Sequence, residues 1–208
     1  DVMSIIRNIL YLDPRFDVTN YPDLVYERRK YLDRMLGEIF IPAIERNPRR
    51  LGFLIYGLSG SGKTTLIKYA MNKAIDIARK KVAVWFDAVY IGCRRETTLK
   101  HIIEKILSSR VFITKPQKAK IDVLVDLLKE SKPFIVVVID EIEKIRDPNN
   151  LYEIVHTFAR TGENGLIGIS EGARVEYAVI PVLVTNNLKR VKVFLKSKKK
   201  SSKKIMKK

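Results

Sequence analysis

Gly57-Leu58-Ser59-Gly60-Ser61-Gly62-Lys63-Thr64 fills every fixed position of the pattern G-x-x-x-x-G-K-[ST]. Residues of these types at this spacing hold phosphate. Glycines let successive backbone N–H groups turn inward around phosphate oxygens, and a helix that starts at the end of the loop adds its positive dipole. Lys63 can reach the outer phosphates, and the Thr64 hydroxyl can ligate magnesium. Gly57, Ser59, Gly60, Ser61, Gly62, Lys63, Thr64 and Thr65 are therefore the candidate nucleotide-binding residues. A second pair of side chains complements them. Phe134 to Ile139 is a continuous apolar, mostly β-branched run ending in Asp140-Glu141. Acids at the carboxyl end of a buried strand can orient hydrated magnesium, here Asp140, and polarise an attacking water, here Glu141. Read without the loop, Glu141 and Glu143 would simply favour the first turn of a following helix.

The elements around these residues must bring the two groups together. Leu51 to Tyr56 reads as a buried strand entering the loop, and Thr64 to Lys80 carries Leu66, Ile67, Ala70 and Ala74 at helical spacing. A strand before and a helix after separate a phosphate loop from a chance Gly/Ser turn. Upstream, a helix is expected from about Val25 to Ile44, kinked at Pro42 and ended by Asn47-Pro48. Val82 to Tyr90 alternates as a strand. Helices are expected over Thr97 to Ser108, Ile121 to Glu130 and Leu151 to Arg160, with short strands at Leu166 to Ile169 and Val191 to Leu195. The organisation this gives is an irregular lead-in over 1–24, one α/β core over 25–195 and a lysine-rich tail over 196–208.

Composition restricts the function class. With 208 residues, 46% of them hydrophobic, the chain can bury one sizeable core. No apolar run has the length of a membrane span, so no membrane partner is expected. One cysteine, Cys93, cannot build a disulfide framework, and without a signal peptide the expected setting is a reducing cytoplasm. Cys93, His101 and His156 read as structural residues without ligand-spaced partners. The net charge is +17, and eleven Lys or Arg residues with no acid lie from Lys189 to Lys208. Such a tail attracts polyanions by counterion release, nucleic acid such as duplex DNA first and an anionic membrane surface second; a solubilising tail with no dedicated partner is an equal reading.

Taken together, the motifs and their order resemble the AAA+ ATPases of the archaeal origin-recognition and cell-division-control initiator family, from about Pro22 to Phe194. Val25-Tyr-Glu-Arg-Arg29 resembles the family's segment before the loop. Tyr56 to Thr65 matches its Walker A motif, and Tyr90-Ile-Gly-Cys-Arg-Arg95 the end of its second strand. Asp140-Glu-Ile-Glu-Lys144 matches Walker B, and Leu166-Ile-Gly-Ile-Ser170 resembles its sensor strand. The resemblance implies an α/β fold of the P-loop NTPase, AAA+ type, a parallel sheet flanked by helices. It also implies ATP or ADP with Mg2+ as cofactors, Glu141 and Lys63 as catalytic residues, Thr64 and Asp140 as the magnesium-holding pair, and Arg28 near the adenine. Duplex DNA at replication origins is the implied partner, with AAA+ self-association or other replication proteins beside it. The connector Leu107 to Ile121, with Arg110, Lys115, Lys118 and Lys120, lies where the family carries a DNA-touching insertion; a basic surface connector is the plainer reading.

Three features of the chain depart from the family pattern. Glu171-Gly172 follows the segment that resembles the sensor strand, where a polar hydrogen-bond donor is usual, and Val182 in Ile180 to Leu188 stands where an arginine is usual. Beyond Leu195 no helical lid or winged helix is evident. These departures predict slow hydrolysis and leave two alternatives open. One is a P-loop ATPase of another role, such as a transposition helper or signalling ATPase. The other is a non-enzymatic, nucleotide-dependent DNA-binding module.

Overall fold

A computed structural model describes residues 29–112 and 119–196 of the chain. Arg28, Lys115, Lys118 and the lysine-rich tail from Ser197 onward lie outside the described residues. The helix expected before the loop runs as α1 (Arg29–Met35), a widened π turn (Leu36–Phe40) and α2 (Ile41–Ile44). The widening has a local cause. Pro42 has no N–H to give the preceding turn, and the Ile41 N–H reaches back to the Leu36 carbonyl instead.

β1 (Phe53–Tyr56) leads through the glycine-rich loop into α3 (Lys63–Lys80), and β2 (Phe86–Gly92) follows. Then come α4 (Leu99–Leu107), capped by the Thr98 hydroxyl, and α5 (Ile121–Ser131). β3 (Phe134–Asp140) ends in a single 3-10 turn (Ile142–Lys144), and α6 (Pro148–Ala159) starts on an Asp147 cap. The last elements are β4 (Ile167–Ile169), β5 (Val175–Thr185) and α7 (Leu188–Lys196).

The sheet order is β1-β5-β3-β2, all parallel, with β4 antiparallel on β5. Every residue of β3 is buried, as expected of a strand covered on both faces. On one face α1, the π turn, α2 and α3 pack through Leu32, Phe40, Ile44, Ile67, Ala70 and Ala74 onto Phe134, Val136 and Val182. On the other, α4 to α7 pack through Ile102, Ile106, Leu124, Leu128, Ile154 and Val191 onto Ile135, Val137 and Val179. This is the expected helix-flanked parallel sheet, and no helical lid is present among the described residues.

Three expectations are corrected. β5 (Val175–Thr185), the strand in the middle of the sheet, is an element the sequence analysis does not name, and it holds Pro181. Proline is tolerated there for a specific reason. β4 occupies one edge of β5 up to Ala178, with the Val179 N–H donating to the Leu166 carbonyl, and β1 takes over that edge from Val182. Residues two apart direct their nitrogens to the same edge, so Pro181 has its nitrogen in the gap between two partner strands, where no acceptor waits. Next, Val191 to Leu195 is helical, not extended: Leu188 and Val191 lie on one helical face, and the Asn187 side chain accepts from the Arg190 N–H. Lastly, β2 starts at Phe86, because Val82 takes a left-handed conformation in the turn after α3.

The outer edge of β2 is covered by its own neighbours. Asp87, 8% exposed, accepts from the Ser109 hydroxyl at 2.6 Å and the Arg110 N–H at 3.0 Å, and the Arg110 guanidinium lies 3.4 Å from it. Arg110 is thereby an edge cap tied to a buried carboxylate. No described helix is long and apolar enough to cross a membrane.

Candidate nucleotide site

Parallel strands put their carboxyl ends at one pole of the sheet, and the two motifs meet there. Gly60 and Gly62 have φ of 74° and 76°, the left-handed region that glycine enters without a Cβ penalty, and Gly62 caps the start of α3. This turn leaves the loop's interior facing the helix N-terminus. Lys63 fills that interior: its ammonium donates to the carbonyls of Gly57 (3.1 Å) and Leu58 (2.7 Å) and to Ser61 Oγ (3.1 Å). Ser59 and Gly60 are exposed at the tip, while Ser61, Thr64 and Thr65 are half-buried.

Seventy-six positions separate Thr64 from Asp140, yet the Thr64 hydroxyl donates to Asp140 Oδ2 at 2.6 Å. Asp140 is 2% exposed, and each of its oxygens is engaged. Oδ1 accepts from the Glu141 N–H at 2.7 Å, and Oδ2 also accepts from the Tyr90 hydroxyl at 2.9 Å. Glu141 takes a left-handed conformation, φ 56°, which turns the chain sharply after β3. Its carboxylate pairs with Lys144 at 2.6 Å. That i,i+3 pair is solvent-exposed, worth at most about 0.5 kcal/mol, so it opens readily.

The structure corrects the position expected for the sensor. Glu171 lies in the turn between β4 and β5, and β4 is antiparallel to β5. That turn is at the amino end of β5, the pole opposite the phosphate loop. The strand lying between β1 and β3 is β5, and its end brings Thr185 and Asn186 to the acids. Thr185 is paired with Tyr56, the residue that enters the loop. Its hydroxyl donates to Glu143 Oε2 at 2.9 Å, and the Asn186 amide donates to Glu143 Oε1 at 2.7 Å. Val182 also needs correction: it is fully buried inside β5 against Phe53 and Val138, a place no surface arginine could occupy. Neither residue lies beside the phosphate loop or the acids after β3.

Four residues that the sequence analysis does not assign to the site converge on it: Tyr90, Glu143, Thr185 and Asn186. Asn186-Asn187 after an apolar run is the same kind of signal as Asp140-Glu141. Arg190 completes the frame from α7. Its guanidinium donates to the carbonyls of Glu143 (2.8 Å) and Ile145 (2.7 Å), bracing the turn that carries the acids. Cys93, whose N–H donates to the Asp140 carbonyl, is buried, and its thiol is pushed up to about 12 by burial and then by the charges of Asp140, Glu143 and Glu141. It is a structural thiol.

The donor set suits magnesium. One hydroxyl and one carboxylate converge, and magnesium in phosphate sites uses one or two carboxylates together with phosphate oxygens and water. It needs no larger cluster, and among the described residues no group of three or more His, Cys, Asp or Glu is placed to hold a metal.

Comparison with known proteins agrees with this geometry. An ORC1-type DNA replication protein of Sulfurisphaera tokodaii is 27% identical over 177 residues, covering 80% of this chain and 43% of that protein. Among solved structures, the Aeropyrum pernix ORC2 protein, in ADPNP-ADP complexes, superimposes with a TM-score of 0.62 at 20% identity, over 84% of this chain and 45% of that one. The Aeropyrum pernix ORC1 protein in complex with DNA gives a TM-score of 0.52 at 23% identity, over 81% and 43%. The chain thus spans under half the length of these relatives. Residues 47–169 match the AAA domain family, and with its AAA+ fold and its ORC1-type relatives the chain belongs to that family.

Proposed function

We propose that this chain is an ATP-binding, replication-initiator-type ATPase that hydrolyses ATP slowly with Mg2+ and contacts duplex DNA. The hydrogen bond from Thr64 to Asp140 carries the reading, because it joins the two halves of a nucleotide site across the chain. Lys63 turns from the loop carbonyls to the outer phosphates, and the loop's N–H groups take the remaining oxygens. When bound, magnesium supplies charge neutralisation at the phosphates, with Thr64 and Asp140 as the residues that hold it. Glu141, once released from Lys144, accepts a proton from the attacking water. Asn186, anchored on Glu143 through one amide proton, has a second to offer to developing phosphate charge, the role assigned from sequence to the position of Glu171.

That relocation matters for the alternatives. The reading of a non-hydrolysing module rested on a missing arginine and an altered sensor, and Val182 and Glu171 no longer support either point. DNA contact is supported by the relatives' names and by the basic tail; Arg28 retains its proposed place near the adenine. Turnover measured with and without duplex DNA tests the reading. The expected result is stimulation by DNA, and in Asn186→Ala a fall of roughly a hundredfold in turnover with ADP affinity kept. Turnover indifferent to DNA and to Asn186→Ala would count against it.

A further inference from the structure

The geometry points to Tyr90 as a positioning residue that fixes the magnesium-orienting carboxylate, an inference that rests on the nucleotide site proposed above. Tyr90 stands on β2 two residues before the strand's end, level with Val138 of β3. Its hydroxyl reaches Asp140 Oδ2 at 2.9 Å, the same oxygen that Thr64 meets at 2.6 Å, while Oδ1 is held by the Glu141 N–H. Three donors on two oxygens arrest rotation of the carboxylate. Its remaining lone pairs therefore point in one fixed direction.

The tyrosine is equipped to donate. In this bond the hydroxyl is the donor and the carboxylate oxygen the acceptor, so the tyrosine's proton lies between them and holds the oxygen in place. The Lys68 ammonium lies 4.5 Å from the ring centroid, on α3 one turn beyond Thr64. A cation over the ring draws electron density from it and strengthens the hydroxyl as a donor. α3 thus touches Asp140 twice, directly through Thr64 and indirectly through Lys68 and Tyr90.

Magnesium demands near-ideal geometry, so a carboxylate free to rotate binds it less well. Groups that hold a metal's ligands in place typically contribute tenfold or more to its affinity. The test uses the full 208-residue chain, with ADP binding measured by calorimetry in EDTA and across a magnesium titration. For Tyr90→Phe, which removes only the hydroxyl, ADP affinity in EDTA should stay unchanged while half-saturating magnesium rises roughly tenfold. Lys68→Met should shift it in the same direction by about threefold. Half-saturating magnesium within about twofold of wild type in Tyr90→Phe overturns the inference. So does an equal loss of ADP affinity with and without magnesium, which marks a purely structural role. A wild-type chain whose ADP binding ignores magnesium overturns the nucleotide reading itself, and this inference with it.

Discussion

Gly168 in β4 is the sharpest place to perturb the hairpin that the sequence presents as the sensor strand. A Cβ built on Gly168 would lie 2.1 Å from Tyr177 Cε1 and 2.5 Å from Cζ, far inside any contact real side chains make. The clash is with the middle of an aromatic ring that is only 7% exposed and packed in the core beside Val179 and Leu166. The ring cannot swing aside without uncovering itself. A buried tyrosine removes about 200 Å² from water. At about 25 cal/mol per Å², full loss of that burial would cost about 5 kcal/mol. Displacement by one methyl forfeits part of it, and overpacking of this kind costs about 1–3 kcal/mol. Gly168→Ala should therefore lose about 2 kcal/mol by urea denaturation followed by circular dichroism, or about 4–8 °C in Tm. Because β4 sits at the pole opposite the phosphate loop, ADP affinity of the folded variant should not change. Tyr177→Leu, added to Gly168→Ala, should restore part of the loss by clearing the ring. A loss below about 0.5 kcal/mol, or an ADP affinity that falls in step with stability, would refute this placement of the strand.

Two further outcomes follow from side chains around the acids. Arg190→Met removes a guanidinium that donates to two carbonyls behind the acid turn, and should cost about 2 kcal/mol in denaturant unfolding while lowering ATP turnover. Cys93 has its ionisation raised from 9.0 to about 12, so only the unfolded chain forms thiolate readily. A thiol reagent at pH 8 should label it only as fast as the protein unfolds, and its contribution to stability, intact below pH 9, should be lost as pH rises through that interval.

Much of the site was legible because its signals are local. The glycine-rich loop requires left-handed turns at Gly60 and Gly62, and the run from Phe134 to Ile139 has the continuous apolarity of a strand buried on both faces. What sequence could not supply is the lateral order of strands. Leu166-Ile-Gly-Ile and Val182-Leu-Val-Thr are similar apolar runs, each followed by polar residues, and only the pairing shows that the second lies between β1 and β3. Pro181 adds to the ambiguity, because proline argues against a central strand unless a gap between partners receives its nitrogen. Periodicity misled at α7 too, where Val191 and its neighbours fit either period over so short a run. In sequence Tyr90 is part of a strand and a motif; its hydroxyl's partner, fifty positions on, is fixed only by the register of β2 on β3.

If Asp140 and Glu141 serve a hydrolytic nucleotide site, ATP turnover measured beside ATP affinity for the wild type and Glu141→Gln will show it. Slow, magnesium-dependent turnover is expected in the wild type, falling by about a hundredfold or more in the variant with affinity preserved. Equal turnover in the two proteins, or tight binding with no turnover in either, would contradict it.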